Sequence, residues 1–427
     1  MTGRRRFLRA VAAATGAAVA GCSGGSGDET DDGNGSPAAA AESNDPVPSS
    51  TARTGTGGTT DADGAAFPDL SAGDPTYRRW LPAEGDTRLG VWGASNLARA
   101  RARRDRLPAS DYESAIGFVT TGDYFGVDFA DLDAFLSPLS GPGTIYPGEF
   151  DRSAIDGTLT ATGYEQFDTQ GNVTFYRETG AEQPARVAVA DQGVIEDPYG
   201  TPESFRDRSV ALFETAAGDR QRRHEADERV RRYTDAVGFP LGVASLEPPR
   251  SSGGMAGVSI QLPDGVRQSA AVGRTEHVTD EATVDRTWLY VVADDRSPAD
   301  VLSTLEGGDY SVGDAEVAFR RDGRVVEAAV VRPIGDPGGG ADPPLLTLDA
   351  AITDGELTLT NRAGDTLALD RVTVRIGADT YGVEGSLAPG NSTTVDGLPA
   401  DPDDDVLVIY ESPAGASSTT IARVAAD

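Results

Sequence analysis

Apolar positions along this chain change their spacing several times, and each change marks a different kind of segment. Residues 10–20 form a short Ala-rich apolar run. Residues 23–66 are almost wholly Ser, Gly, Thr, Ala, Asp, Glu, Asn and Pro, with Val47 the only large aliphatic residue. Such a stretch cannot bury enough apolar surface to offset the entropy of ordering it, so disorder is expected there. Its length gives a flexible reach of roughly 35–40 Å. From 67 to 334 helical and strand-like spacings alternate. Apolar residues recur at helical spacing over 97–107, 132–136, 153–162, 202–217, 220–236 and 298–305. Strand-like runs occupy 115–121, 173–176, 186–190, 257–262, 288–292, 317–320 and 325–331, the last two flanking Asp322-Gly323, a hairpin turn signal. This reads as an α+β body.

Two stretches of the body look alike. Asp151-Arg152-Ser153 precedes a helix and then strands, and Asp295-Arg296-Ser297 does the same, each after a strand. The order strand–helix–strand–strand, occurring twice, predicts a duplicated ferredoxin-like unit. A Gly/Pro break, 335–342, serves as a linker. From 343 to 427 the runs become short and β-rich: 345–352, 356–360, 367–376, 380–384, 392–395, 406–410 and 419–424, separated by turns such as Asp354-Gly355 and Pro389-Gly390. That rhythm predicts a small antiparallel β-sandwich.

The first residues read as an address. Arg4-Arg5-Arg6-Phe7-Leu8-Arg9 precedes the apolar run, which ends in Val19-Ala20-Gly21-Cys22. A basic head, a short apolar middle and a small-residue exit describe an export signal. The apolar stretch is roughly half the ~20 residues that a spanning helix needs. Arg4, Arg5, Phe7 and Leu8 resemble the twin-arginine export motif, with Gly3 where the family usually has Ser or Thr, and Val-Ala-Gly-Cys resembles a lipobox. The resemblance implies a signal peptide over 1–21, a lipid on Cys22, and a disordered tether over 22–66. It places the protein on the extracellular face of the cell membrane. One acyl chain binds membranes only marginally, whereas a two-chain lipid anchors stably. Cys22 is the only cysteine, so lipidation leaves no thiol for a disulfide, a metal site or a nucleophile.

Composition adds the solvent. Acidic residues number 68 against 37 basic ones, and every basic residue is Arg. Removing residues 1–21, which carry four arginines and no acid, moves the formal charge from −31 to −35. In dilute buffer that charge repels the compact state; near 1 M salt the Debye length falls to about 3 Å and the repulsion is screened. The acids are spread along the whole chain, which fits a halophile. The same charge excludes nucleic acid as a partner.

The tail segment resembles the C-terminal immunoglobulin-like domain of haloarchaeal pilin-type surface proteins. The resemblance rests on Leu369-Asp370-Arg371-Val372-Thr373-Val374, Leu387-Ala388-Pro389-Gly390 and Val406-Leu407-Val408-Ile409-Tyr410, about a fifth of the chain. It implies the domain type alone, because a pilin carries a long apolar assembly helix where this chain has a lipobox.

Sites for chemistry are sparse. His224 lies in a helical run with six arginines, where Glu225/Arg229, Asp227/Arg231 and Glu228/Arg232 fit i,i+4 pairing. Ala226, Val230, Tyr233 and Val237 supply its buried stripe. A second run holds Arg99, Arg101, Arg103, Arg104 and Arg106 with one acid, Asp105, inside it. Arg99, Arg101, Arg103, Arg104, Arg222 and Arg223 are the anion-binding candidates, against the alternative of a solvated helix face. Tyr77, Trp80 and Trp92 read as core anchors. His277 stands near Asp280, Glu281 and Asp285 at a spacing that matches no metal motif, and the acidic turn of Asp401, Asp403, Asp404 and Asp405 lacks the EF-hand pattern. The nucleophile elbow, HExxH, the phosphate loop and GxGxxG do not occur. Asn34, Asn172 and Asn391 open N-glycosylation sequons. The sequence therefore predicts a lipid-anchored envelope module, without a catalytic residue, metal or cofactor, that binds a cell-surface protein or glycan. The alternative is an extracellular hydrolase using a carboxylate pair in the body.

Overall fold

In the computed structural model, the described residues are 75–83, 92–116, 124–138, 143–180, 184–197, 201–239, 241–246, 271–278, 283–292, 296–307, 316–333, 335–399, 404–415 and 418–424. The body's helices are α1 (Leu97–Arg103), α2 (Ala109–Ile116), α3 (Arg152–Ala161), α4 (Pro202–Ala217), α5 (Arg223–Ala226), α6 (Glu228–Val237) and α7 (Pro298–Glu306). A 3-10 turn, Thr76–Trp80, precedes them. Local chemistry explains their ends. In α4, Thr201 accepts the Ser204 N–H, Pro202 opens the first turn, and Gly218 closes the helix at φ +91.

Twelve strands form one sheet: β1 (Trp92–Asn96), β2 (Ala134–Pro138), β3 (Thr144–Pro147), β4 (Tyr164–Gln170), β5 (Val173–Glu178), β6 (Arg186–Ala190), β7 (Gly193–Asp197), β8 (Gly242–Leu246), β9 (Ala271–Val278), β10 (Thr283–Val291), β11 (Glu316–Asp322) and β12 (Val325–Pro333). Their order is β11-β12-β10-β9-β8-β1-β2-β3-β7-β6-β5-β4, with every neighbouring pair antiparallel.

The sheet has two arms of like course that meet at β1 and β8. Each arm begins with a three-strand meander, β1-β2-β3 or β8-β9-β10. Each then passes through a helix, α3 or α7, to a strand parallel to the one it left, and returns to pair its last strand with the third of the meander. In the second arm one antiparallel strand, β12, separates β10 from β11; in the first arm three separate β3 from β4. A ferredoxin-like sheet reaches the position beside the first strand through a second helix. Here β9 occupies that position by way of a hairpin. The short sequence likeness is also out of step with the helices. Asp151 caps α3, whereas Ser297, which aligns with Ser153, caps α7. The architecture common to both arms lies in the path of the chain.

Around β2 both faces of the sheet are covered, as its consecutive residues Phe135 and Leu136 show. Leu136 packs with Ile145, Phe175 and Ile195 against Tyr77, Trp80, Phe205, Phe213, Val230 and Tyr233 of the 3-10 turn, α4 and α6. Phe135 packs on the other face with Tyr146, Val187 and Val194 against Leu97, Tyr112, Ile155 and Leu159 of α1, α2 and α3. The helix expected over 132–136 is thereby corrected: Ala134–Leu136 belong to β2, whose consecutive residues Phe135 and Leu136 point to opposite covered faces, and five residues are too short for a stable helix. Ala115 and Ile116, expected to begin a strand, end α2 instead. The helix expected over 220–236 is broken at Asp227, whose carboxylate accepts the Arg229 N–H and caps α6. Asp227 therefore pairs with Arg229, Glu225 accepts the Arg222 N–H, the expected Glu228/Arg232 pair forms at 2.6 Å, and Arg231 pairs i,i+4 with Asp235 at 3.3 Å. Ala226 is exposed, while Val230, Tyr233 and Val237 are buried. The run 257–262 lies outside the described residues.

The C-terminal region is β-rich. Its strands are β13 (Leu346–Thr353), β14 (Glu356–Gly364), β15 (Leu367–Ala368), β16 (Val372–Ile376), β17 (Asp379–Gly382), β18 (Ser386–Leu387), β19 (Ser392–Val395), β20 (Val406–Glu411) and β21 (Ser418–Val424). They form sheets of order β13-β14-β19 and β17-β16-β20-β21, with β15 and β18 paired separately. Leu348, Leu357 and Val395 of the first sheet share one core with Val374, Val408 and Ala422 of the second. The β13–β14 turn places Asp354 at φ 53 and Gly355 at φ 79, the two left-handed residues that a type I′ hairpin requires. The run expected over 367–376 is split, because Leu369–Arg371 forms a 3-10 turn between β15 and β16.

Candidate functional site

The first arginine run is built into the body–tail junction. Asn96 caps α1 by accepting the Arg99 N–H, which starts the helix immediately after β1. Arg101 then donates to the carbonyls of Phe129 and Leu132 at 2.9 and 2.7 Å, and lies over the Phe129 ring. Arg104 donates through Nε to the Gly340 carbonyl at 2.7 Å, reaches Asp342 at 3.2 Å, and lies over the Tyr112 ring. Arg99, Arg103 and Arg106 also have interaction partners.

The other side of this junction comes from α2. Tyr112 donates its hydroxyl to Asp342 at 2.5 Å, and burial together with that carboxylate pushes its ionisation far up. Glu113, 3 % exposed, accepts the Ala414 N–H at both oxygens, 2.9 and 3.1 Å. It also lies 3.4 Å from the Ala341 nitrogen. The Gly338 N–H donates to the Leu107 carbonyl, and Thr347 donates its hydroxyl to the Tyr124 carbonyl. Leu345 packs into the body's core with Leu107 and Tyr112. The Gly/Pro segment is thus seated on α2, and the β-rich region is joined to the body through charged and backbone groups. Sequence reasoning missed Tyr112, Glu113 and Asp342. The available signal was Pro108 followed by Asp111, a helix-start pattern hidden by the strand expected next to it.

The second run seats helices on each other. Arg222 donates to the carbonyls of Thr215 and Ala216 in the last turn of α4, each at 3.3 Å, where a cation suits the helix C-terminus. Pro82 bridges to Arg222, and the Arg223 N–H donates to the Leu81 carbonyl, so the 3-10 segment is held against α5. Both Arg223 and His224 have partners. Arg78, itself buried, donates to Thr234 and pairs with Asp235, while Tyr77 donates to the Gly238 carbonyl. Of the three anchors expected, Tyr77 and Trp80 are in the core; the side chain of Trp92 lies outside the described residues.

Buried carboxylates are the place to look for a hydrolytic pair. Among the described residues they are Glu113 in α2, Glu196 and Asp197 in β7, and Glu327 in β12. Glu196 and Asp197 are consecutive in a strand and so point to opposite faces. Asp197 ends a cross-strand row, Glu165–Arg177–Arg186–Asp197, and Arg208 of α4 approaches it at 3.8 Å. Burial pushes the Arg186 guanidinium down, with Asp197 opposing and Arg177 adding to the effect. Glu327 pairs through one oxygen with Arg320 at 2.7 Å, while its other oxygen is buried with no hydrogen-bond partner; burial raises its pKa. Glu113 thus takes backbone donors, Asp197 and Glu327 each have an arginine beside them, Glu196 also has an interaction partner, and each of the four stands on a distinct element or face.

Backbone register places His277 opposite Asp285 in the β9–β10 hairpin, and their side chains lie outside the described residues, as do Asp280 and Glu281. Among the described residues no group of three or more His, Cys, Asp or Glu is placed to hold a metal ion. In the acidic turn, Asp405 pairs with Arg423, whereas Asp401 and Asp403 lie outside the described residues. Asn172 and Asn391 are exposed at turns. Arg4, Arg5, Phe7, Leu8, Cys22 and Asn34 lie outside the described residues. Among those described, no helix is long and apolar enough to cross a membrane. The chain matches no protein-family model, and no curated protein sequence matches it.

Proposed function

We propose that this chain is a lipid-anchored cell-envelope module of a halophilic archaeon, exported by the twin-arginine route and held by a lipid on Cys22. The observation that carries this reading is the order Arg4-Arg5, Phe7-Leu8, a short apolar run and Val19-Ala20-Gly21-Cys22, two signals in sequence at the spacing export requires. The body and the β-rich region then stand outside the cell as a binding or structural unit for a surface protein or glycan.

Two finer features belong to the same reading. The tail is an immunoglobulin-like sandwich: its sheets β13-β14-β19 and β17-β16-β20-β21 follow the A-B-E and C′-C-F-G division of such domains. The body is a duplicated unit built on a split β-α-β path, supported by the common course of its two arms.

Fractionation of cells expressing the full chain, with mass spectrometry of its N-terminal peptide, tests the proposal. The expected product is membrane-associated, begins at Cys22 and carries a lipid. Cys22→Ser should release folded protein into the medium or leave it unprocessed. A parent protein that is soluble in the cytosol with residues 1–21 intact sinks the reading.

A further inference from the structure

The two described sequons sit on different kinds of backbone, and that difference separates them. Asn391-Ser392-Thr393 follows a turn in which the Asn391 N–H donates to the Ala388 carbonyl at 3.1 Å. Pro389 and Gly390, the latter at φ +81, are its central residues, as a type II turn prefers. Asn391 and Ser392 are exposed, and Thr393 is half-buried. The strand that begins there, β19, pairs with β14 alone: Ser392 lies opposite Thr360 and Thr393 opposite Leu359. It is an edge strand, with no further strand on its other side among the described residues.

Asn172-Val173-Thr174 is also exposed at its asparagine, at the tip of the β4–β5 hairpin, but the rest is locked in place. Val173 is 3 % exposed within the core. Thr174 is paired on both sides, with Thr169 of β4 and Val189 of β6. Its hydroxyl also accepts a hydrogen bond from Arg152 at 3.0 Å.

We propose that Asn391 is glycosylated on the folded protein and that Asn172 is not. The inference rests on the export reading, since the twin-arginine route delivers a chain that is already folded. A transferase acting on such a substrate must reach the asparagine amide and the hydroxyl two residues on together. An edge strand offers it main-chain hydrogen bonds along which to align that segment; a strand paired on both sides does not. In the reaction Asn391 Nδ2 attacks the anomeric carbon of a phosphate-activated oligosaccharide. The N–C bond forms, the bond from the anomeric carbon to the phosphate oxygen breaks, and the phosphate leaves with the electron pair. The amide proton passes to a base on the transferase.

Peptide mass spectrometry of the full chain purified from membranes of a glycosylating halophilic host tests this. The expected result is an oligosaccharide on the Asn391 peptide, with the Asn172 peptide unmodified. Thr393→Val, which suits a β-strand, should abolish the modification; Thr393→Ser should restore it, separating loss of the acceptor motif from loss of the fold. A bare Asn391 on membrane-bound protein that begins at Cys22 overturns the proposal and leaves export standing. Equal or greater modification of Asn172 overturns it as well. Cytosolic protein that retains residues 1–21 overturns export and this inference together, and its N-terminal peptide distinguishes that outcome.

Discussion

Glu113 and Ala414 are 301 positions apart in the chain, and the carboxylate of the first receives the backbone N–H of the second at 2.9 and 3.1 Å. A buried carboxylate that accepts a main-chain N–H from the turn after β20 ties α2 to the far end of the β-rich region. Glu113→Ala leaves that donor without its acceptor, at a cost of about 1–3 kcal/mol. The expected outcome is a lower thermal midpoint and faster proteolysis within 335–345, with Glu113→Gln intermediate because its amide oxygen still accepts. Unchanged proteolysis in the alanine variant would show that the junction holds without this contact.

Gly340 supplies a steric test of the same junction. A Cβ there would stand 2.6 Å from the Tyr112 ring and 2.8 Å from the Ala109 carbonyl oxygen. The second contact is with backbone, so Gly340→Ala cannot be accommodated by a side-chain rotation. The segment has to lift from α2, loosening Arg104 from the Gly340 carbonyl and Tyr112 from Asp342. Hydrogen exchange should quicken across 335–342 and α2 while the sheet around β6 and β7 stays protected. An exchange pattern matching the parent would place the strain elsewhere.

Arg104→Lys separates an intramolecular latch from an anion site. Lysine keeps the charge, but it lacks the planar fork that reaches the Gly340 carbonyl and Asp342 while stacking on Tyr112. Differential scanning calorimetry should show a loss of roughly 1 kcal/mol, the scale of one hydrogen bond. Sulfate should stabilise the parent and the variant equally. A sulfate effect present only with arginine would restore the ligand role.

What could be read from the sequence divides along physical lines. Helices with caps and a full apolar stripe were legible: Pro202–Ala217 falls on its expected bounds because Thr201 and Gly218 punctuate it. So were the short strands after 343, where turns such as Asp354-Gly355 set the register. Central strands were legible where their own residues are apolar, as in β6, Arg186–Ala190, which falls on its expected bounds, and not where they are mixed. β1 and β7 carry glycine and polar residues among few apolar ones, and their identity comes from neighbours on both sides, which no local pattern records. The junction was hidden for a similar reason. Arg101 and Arg104 look like a basic patch in the sequence, and only tertiary structure brings carbonyls and Asp342 to them.

Glu327 should give the body a pH dependence opposite in sign to that of an ordinary paired acid. Burial raises its pKa above 4.5, against the pull of Arg320. The folded chain therefore holds the proton more tightly than the unfolded chain. The stabilising contribution is full below the ordinary glutamate range and is lost as pH rises through the raised folded value. Glu327→Gln is neutral throughout and still accepts from Arg320. The thermal midpoint of the variant minus that of the parent should therefore climb from about pH 4 to pH 7, across and above the ordinary carboxylate range. A flat difference would mean that the ion pair with Arg320 cancels the effect of burial.

Salt acts on two opposed terms, and their sizes fix the expected outcome. Surface pairs such as Arg177–Glu165 and Arg220–Glu214 weaken as ions screen them. Each exposed pair is worth only about 0–1 kcal/mol to begin with. Against them stands the mutual repulsion of a chain with a formal charge of −31, which acts between every pair of acids within a screening length. That length contracts from about 10 Å at 0.1 M to about 3 Å at 1 M. Repulsion has many more contributors than the paired contacts, so its relief should win, and the thermal midpoint should rise with sodium chloride. For domains of 150–250 residues each kcal/mol gained appears as about 2–4 °C. Sucrose is excluded from protein surfaces without supplying ions, so at matched water activity it should reproduce only part of the gain. A midpoint that falls with salt, or that sucrose raises equally, would show that charge repulsion does not govern the stability of this fold.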